Sequence, residues 1–310
     1  APVSALTLND NVITLAIHPA ARAGDLAAIS MEPALEYFAV DNHVLTVAGE
    51  KEARIRLSRL PGSRQVLLWG SIPLGGVTAR ETVAVDDPAL FAACALYDAL
   101  VRRGVAIRGH PLARHRSVSE DPWPIEGDLI ETRMSPPMVE MLQVIEKVSQ
   151  NLHAELMLRE VARVTRNTGT RESGLQELAA WLASIGIKTE EWRAEDGSGL
   201  SRNDQVSPRA VTRLLSYLAA SKNGAAWLSL LPVGGEDGTL ANRLCCVSDA
   251  GAAKKVRAKT GSLTRAVALS GYADSRTRGR LAFSILVNNF SAPQAEVRAW
   301  VDRIALALVE

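Results

Sequence analysis

Residues 256–288 have the sequence VRAKTGSLTRAVALSGYADSRTRGRLAFSILVN, and this stretch decides the fold. Its apolar runs predict three strands, at residues 256–259, 266–272 and 280–288. The link at 274–279 between the last two strands is short. Because consecutive strands with a short link pair side by side, we expect antiparallel neighbours.

Helices are predicted before and after these strands in the sequence. Apolar residues recur at helical spacing from residue 135 onwards, and serines and prolines stand where helices should begin. The predicted starts and end are Ser135-Pro136, Ser207-Pro208, Pro293 and Gly186. The last helix should bury Val297, Trp300, Val301, Ile304 and Leu308. The fold class is therefore α/β (α+β), with an antiparallel sheet flanked by helices.

The first 80 or so residues have a different pattern, typical of β-structure. Strands are predicted at 3–8, 12–17, 44–47, 54–60 and 65–69, separated by Asn, Gly and Pro turn residues. Such short strands predict a small antiparallel β-domain. A helix should follow, capped by Asp87, started by Pro88 and ended by Gly104.

Glycine and proline concentrate between residues 105 and 128, and this segment is the best candidate for a domain boundary. The marker residues are Gly109, Pro111, Pro122, Pro124 and Gly127. We place a β-rich part at residues 1–112 and a helix-and-sheet part at 113–310.

Composition limits the class of protein. The 310 residues are 47% apolar and 22% charged, with a net charge of +1, as in ordinary globular proteins. The balanced charge disfavours nucleic acid and anionic membranes as partners. No apolar run is long enough for a transmembrane helix. Cys94, Cys245 and Cys246 cannot form a disulfide framework, and we interpret them as small apolar residues. The histidines lack metal-ligand spacing.

Two short motifs carry the candidate chemistry. Ser149-Gln150-Asn151 stands between two predicted helices, and Lys259-Thr260-Gly261-Ser262 ends the first predicted strand. Together and in this order, they match two of the three signatures of penicillin-interacting serine enzymes. A structural alternative stays open, because Ser149 and Asn151 could simply cap a helix and 259–261 could be a solvated strand end.

Acyl transfer at a peptide carbonyl would explain these residue types. Ser149 could pass a proton between a catalytic lysine and the leaving amine, and Asn151 could hold the substrate amide and that lysine in place. Lys259 would supply positive charge beside the scissile bond. The hydroxyls of Thr260 and Ser262 could hydrogen-bond a C-terminal carboxylate. Gly261 would let the substrate lie against the strand.

The chain resembles the D-alanyl-D-alanine carboxypeptidase/endopeptidase family of class C low-molecular-mass penicillin-binding proteins. Besides the two motifs, the resemblance rests on ALTLNDN (5–11), DPALFAA (87–93), SQNLHAE (149–155), DGSGLS (196–201), LP (231–232), GTL (238–240), KTGSL (259–263) and LSGY (269–272). It implies a transpeptidase-like domain of the DD-peptidase and serine β-lactamase type, together with β-rich inserted domains. It also implies the removal of a terminal D-alanine, or the hydrolysis of a D-alanyl cross-link, through an acyl-serine intermediate. The resemblance implies neither a metal nor an organic cofactor.

One family signature is missing from the sequence. The family's nucleophile is the serine of a Ser-x-x-Lys motif, and no serine here has lysine three positions later. We expect that an upstream segment bearing this motif is absent from the chain. Two alternatives remain: a pseudoenzyme that binds peptidoglycan without catalysis, and a hydrolase that uses Ser149 as nucleophile beside Lys259.

The expected partners and location follow from the resemblance. They are peptidoglycan stem peptides ending in D-Ala-D-Ala, with β-lactams as inhibitors, in the periplasm. A signal peptide is not visible at the start of the sequence.

Overall fold

The backbone divides into two units, Ala1–Pro122 and Trp123–Glu310, in a computed structural model that describes residues 2–117, 120, 127–244 and 250–310. The sequence analysis placed the division at 112 and 113. Pro122 and Pro124, two of its boundary markers, lie outside the described residues, as do Cys245 and Cys246. Cys94 is half-buried against an apolar core, and this burial raises the pKa of its thiol.

The first unit contains two three-stranded sheets and one helix. Strands β1 (Val12–His18), β2 (Ala28–Glu32) and β6 (Ala79–Ala84) form an antiparallel sheet in the order β2-β1-β6. Strands β3 (Ala39–Val47), β4 (Arg54–Ser58) and β5 (Gln65–Pro73) form a second sheet in the order β3-β5-β4. Helix α1 (Pro88–Arg102) begins as predicted, because the Asp87 carboxylate accepts the Leu90 amide.

Three details of this unit differ from the sequence predictions. The second sheet is mixed, since β3 and β5 pair in parallel while β4 occupies the other edge of β5. Residues 3–8 form no strand: Asn9, Asp10 and Asn11 all have positive φ, and the chain enters β1 only after this short 3₁₀ turn. Strands β2 and β6 were not predicted, because their short sequences mix charged and apolar residues.

The second unit contains most of the helices and the sheet predicted first. Its elements are α2 (Met138–Gln143), α3 (Asn151–Arg166), α4 (Arg171–Ser184), β7 (Trp192–Arg193), β8 (Gln205–Val206), α5 (Pro208–Ala220), α6 (Gly224–Leu230), α7 (Ala250–Ala253), β9 (Val256–Leu263), β10 (Ala266–Ser275), β11 (Gly279–Asn288) and α8 (Gln294–Ala307). The sheet order β11-β10-β9 is antiparallel throughout. The predicted antiparallel sheet flanked by helices is thus confirmed.

Helix α8 packs on the sheet through a face slightly rotated from the predicted one. Val297, Val301 and Ala305 are buried with β9 and β10 residues in one core, whereas Trp300 and Ile304 are exposed. The spacing of four residues keeps the buried side chains on one side of the helix. At the helix predicted from Ser135, Pro137 instead precedes the first helical residue, Met138.

Strands β9 and β10 approach very closely at Gly271, opposite Ala258. A Cβ atom on Gly271 would overlap the carbonyl oxygen of Arg257 and lie 2.6 Å from the Cα of Ala258. The pairing that carries Lys259 therefore requires glycine here.

We expect Gly271→Ala to lower the free energy of unfolding by about 2–3 kcal/mol, because the strands would have to separate. Ala268→Gly, on the same strand, should cost only about 0.5–1 kcal/mol. Urea denaturation of both variants measures the difference. Equal midpoints for Gly271→Ala and the parent protein would contradict the close approach.

Candidate active site

Ser149 lies at the end of an unusual turn. Helix α2 is followed by a π-helical turn at Val144–Val148, and Ser149 then adopts a left-handed conformation with φ 63° and ψ 49°. Non-glycine residues rarely adopt this conformation, and both it and π-turns are frequent at functional sites. The turn separates Ser149 from the helices on either side.

The helix that follows is capped by the middle residue of the motif. The Gln150 side chain accepts the Leu152 amide at 3.2 Å, and Asn151 is the first residue of α3. Gln150, and neither Ser149 nor Asn151, caps this helix. The interpretation of these two residues as helix caps is therefore wrong. The Asn151 side chain forms no hydrogen bond with any described residue.

Lys259 reaches Ser149 from the sheet. It is half-buried on β9, and its Nζ donates to Ser149 Oγ at 2.6 Å and to the carbonyl oxygen of Thr260 at 3.0 Å. The two motifs, 110 residues apart in sequence, are therefore in direct contact. An ammonium held by two acceptors has a defined position, which is the requirement for a group that receives a substrate charge.

Burial shifts the acid–base properties of this lysine. Removal from water lowers the pKa of Lys259, and the nearby Glu146 carboxylate partly opposes this by favouring the charged ammonium. Burial likewise raises the pKa of Glu146, and the attraction of Lys259 opposes it. The site thus contains a lysine that releases its proton more easily than one in water.

A loop from residue 232 to 240 braces the site from the side of the strand. Thr260 Oγ1 donates to Thr239 Oγ1 at 2.9 Å. In the same loop, Asp237 pairs with Lys147 of the π-turn. Gly238, with φ +55°, lies where a Cβ would stand 2.6 Å from the Lys147 carbonyl oxygen. The loop contacts both motif-bearing segments.

Gly261 and Ser262 continue β9 beyond this contact. Gly261 pairs with Ala268, and Ser262 is exposed opposite Val267. Their placement on the strand that carries Lys259 matches the predicted order. The structure gives no hydrogen bond between either residue and the Ser149–Lys259 pair.

Glu155 is a structural acid one turn further along α3. Its buried carboxylate accepts the amides of Gly197 at 2.8 Å and Ser198 at 3.1 Å, and it pairs with Arg159. Ser198 lies in a bend closed by Asp196, whose carboxylate accepts its amide at 3.0 Å. The family-like DGSGLS segment is thus anchored to the helix that follows Ser149.

No sequence motif points to Glu146, and the sequence indicates only a loop at Thr239. Glu146 follows no motif, and its importance arises only from burial beside a lysine distant in sequence. Thr239 belongs to the matched GTL segment, which was interpreted as a loop near the cleft. Among the described residues, no three His, Cys, Asp or Glu side chains are grouped to hold a metal ion.

We expect Glu146→Gln to lower the pKa of Lys259 further, because the substitution removes the one negative charge that favours its ammonium. NMR titration of the Lys259 side chain measures the shift. In the parent protein, the transition should fall below that of a free lysine, about 10.4. Glu140→Gln, at an exposed position on α2, should leave the pKa unchanged. A Lys259 transition at the same pH in both variants would refute the coupling.

Known proteins resemble this chain in sequence and in structure. A D-alanyl-D-alanine carboxypeptidase of Actinomadura sp. strain R39 is 32% identical over 321 residues, covering 100% of this chain but 58% of the relative. The crystal structure of penicillin binding protein 4 (dacB) from Haemophilus influenzae aligns with a TM-score of 0.83 and 21% identity, over 99% of this chain and 68% of the other. The structure of that protein with a β-lactam aligns at 0.81 and 22%, over 98% and 69%.

The structural likeness confirms the fold, and the chain spans little more than half the length of the Actinomadura relative. The sequence profile of the D-Ala-D-Ala carboxypeptidase 3 (S13) family matches residues 1–308. Because this match covers nearly the whole chain, the protein belongs to the D-Ala-D-Ala carboxypeptidase 3 (S13) family.

Proposed function

We propose that this chain forms part of the active site of a serine-type D-Ala-D-Ala carboxypeptidase/endopeptidase that acts on peptidoglycan stem peptides. The observation that carries the proposal is the 2.6 Å hydrogen bond from Lys259 Nζ to Ser149 Oγ, within a chain of the carboxypeptidase family. This contact joins the two motifs whose chemistry suits acyl transfer.

The reaction needs a serine oxygen to attack the carbonyl carbon of the penultimate D-alanine. A general base takes the hydroxyl proton of that serine, the peptide C–N bond breaks, the same proton passes to the amine of the leaving D-alanine, and water then hydrolyses the acyl-serine ester. Ser149 would pass that proton from the lysine of the Ser-x-x-Lys motif to the leaving amine, and the hydrogen bond that its oxygen accepts from Lys259 Nζ supports this role because it leaves the Ser149 proton free to be donated.

The remaining motif residues would bind the substrate. Lys259 would attract the C-terminal carboxylate, and the hydroxyls of Thr260 and Ser262 would donate hydrogen bonds to it. Gly261 would leave room for the peptide along β9, with a backbone amide near Ser262 serving the oxyanion. Asn151 would hold the substrate amide, a role supported by its side chain having no partner among the described residues.

The attacking serine belongs, in this proposal, to a Ser-x-x-Lys motif that lies outside these 310 residues. The Haemophilus protein has been crystallised in complex with a β-lactam, and this complex supports β-lactams as inhibitors here. From the family match we infer that the protein acts on the cell wall in the periplasm, after export. No described helix combines the length and apolar character needed to cross a membrane.

Two alternatives have an observation in their favour. The missing motif favours a non-catalytic peptidoglycan-binding or scaffolding pseudoenzyme. The short Lys259–Ser149 contact favours a Ser–Lys dyad in which Ser149 is itself the nucleophile. The three functions differ in which serine, if any, becomes acylated.

Replacing Lys259 by alanine in the complete protein should reduce kcat/KM for D-alanine release about a hundredfold or more, because the charge beside the scissile bond is lost. Lys259→Arg should not restore the rate, since a guanidinium has a different shape. The exposed Lys254→Ala is the matched control. Circular dichroism checks folding, and parental rates in Lys259→Ala would show the assignment to be wrong.

The acylated residue can be identified by treating the complete protein with penicillin and mapping the adduct by peptide mass spectrometry. We expect the adduct on the serine of a Ser-x-x-Lys motif, with Ser149→Ala still acylated but more slowly. An adduct on Ser149 would establish the dyad instead. A protein without any adduct and without D-alanine release would support the pseudoenzyme.

A further inference from the structure

The mixed sheet of the first unit has one buried and one exposed face. Alternate residues of its three strands point into the apolar core, among them Val44, Val66, Leu68 and Ile72. The intervening residues are exposed along all three strands, and the strand register brings them together in rows. We call this surface the open sheet face and define it by His43, Leu45, Arg54, Arg56, Leu67 and Trp69.

Trp69 stands at the centre of this face. It lies on the middle strand β5, where the register pairs it with His43 of β3 on one side and Arg56 of β4 on the other. The Trp69 side chain is 37% exposed, and its indole N–H has no acceptor among the described residues. A tryptophan in this position presents a flat apolar ring with a free donor at its edge.

Apolar side chains extend the platform beside the ring. Leu67, two residues before Trp69 on the same strand, is 39% exposed, and Leu45 on β3 is 44% exposed. Single exposed leucines are ordinary, but a contiguous apolar group around an exposed tryptophan marks a binding surface.

Charges of both signs lie around the platform: Asp41 is exposed on β3, and the Glu50 carboxylate accepts the hydroxyl of Ser71, which lies opposite Arg54. Arg54 and Arg56 are exposed on β4, and neither forms a hydrogen bond or ion pair with a described residue. His43 pairs with Asp41 at 2.9 Å, which uses the one carboxylate on this stretch of β3. Two exposed guanidiniums without a partner among the described residues therefore lie on the strand next to Trp69, and each can receive a carboxylate through two parallel N–H donors.

We propose that the open sheet face binds a polysaccharide whose sugar rings carry carboxylate groups. A pyranose ring has a flat apolar C–H face, which packs on an indole, and a polar edge, which suits the free indole N–H. A carboxylate on the same sugar would reach Arg56 or Arg54 across the strand pair. A stretch of peptidoglycan glycan that has lost its stem peptides is such a polysaccharide, because the muramic acid carboxyl is free only where no peptide is attached; this identification rests on the proposed function.

A saccharide fits this face better than the other candidate occupants. A membrane surface would require a wider apolar area with several aromatic residues, whereas the open sheet face contains a single tryptophan. A protein interface of standard size would bury about 800 Å² on each partner and have a larger apolar centre. One ring beside two unpaired arginines supplies an apolar platform and hydrogen-bond donors for the carboxylate of a single sugar.

The test measures binding of peptide-free glycan fragments to the complete protein by isothermal titration calorimetry. One probe is an oligosaccharide of alternating N-acetylglucosamine and N-acetylmuramic acid, which carries carboxylates; the other is a chitin oligomer of equal length, which carries none. We expect Trp69→Ala to weaken binding of the acidic probe about tenfold or more. Arg56→Ala should weaken the acidic probe about fivefold and leave the chitin oligomer unaffected.

The controls separate this proposal from that of the active site. Trp181→Ala removes a tryptophan of similar exposure, 38%, in the second unit and should not change glycan binding. Lys259→Ala should also bind the glycan normally, because these probes contain no D-alanine, so the two proposals can fail separately. Parental affinity in Trp69→Ala, or equal affinity of the parent for both probes, would overturn the proposal. So would a Trp69-dependent binding of anionic vesicles or self-association without glycan binding.

Discussion

The ammonium group of Lys259 is the feature on which the candidate site depends. A lysine half-buried in a sheet loses hydration, and it keeps its charge only where acceptors and a negative charge compensate. Ser149, the Thr260 carbonyl oxygen and Glu146 supply this compensation from a strand and from the π-turn. The same arrangement brings a serine hydroxyl against a lysine whose pKa is lowered by burial.

Backbone constraints around the strand hold that ammonium in place. The close approach of β9 and β10 at Gly271 is part of the pairing that positions the strand carrying Lys259. The loop at 232–240 then ties the strand to the turn, through Thr239 on one side and Asp237 with Lys147 on the other. A left-handed residue such as Ser149 costs roughly 1–3 kcal/mol and persists only where such surroundings enforce it. The contacts of the loop therefore help to maintain the strained conformation of Ser149.

The first unit uses its sheets differently. Its core is filled by the inner faces of both sheets and by α1, while the outer face of the mixed sheet is left to solvent with Trp69 and two unpaired arginines. Core packing alone does not require an exposed indole. The proposed binding role would explain why this indole is exposed, since burying the Trp69 ring in the core would have contributed more to stability.

Most of the strands and helices, and the chemistry available to each motif, could be predicted from the sequence alone. Periodicity predicted β9, β10, β11 and most helices, because hydrophobic spacing follows local geometry, and the family resemblance rested on contiguous motifs. The contacts that those residues make with distant parts of the chain became visible in the tertiary structure. The parallel pairing of β3 with β5, the burial of Glu146 and the contact of Thr239 with Thr260 all join residues distant in sequence. Such contacts depend on how whole strands and helices pack. A local sequence pattern does not show which distant residue will lie next to it.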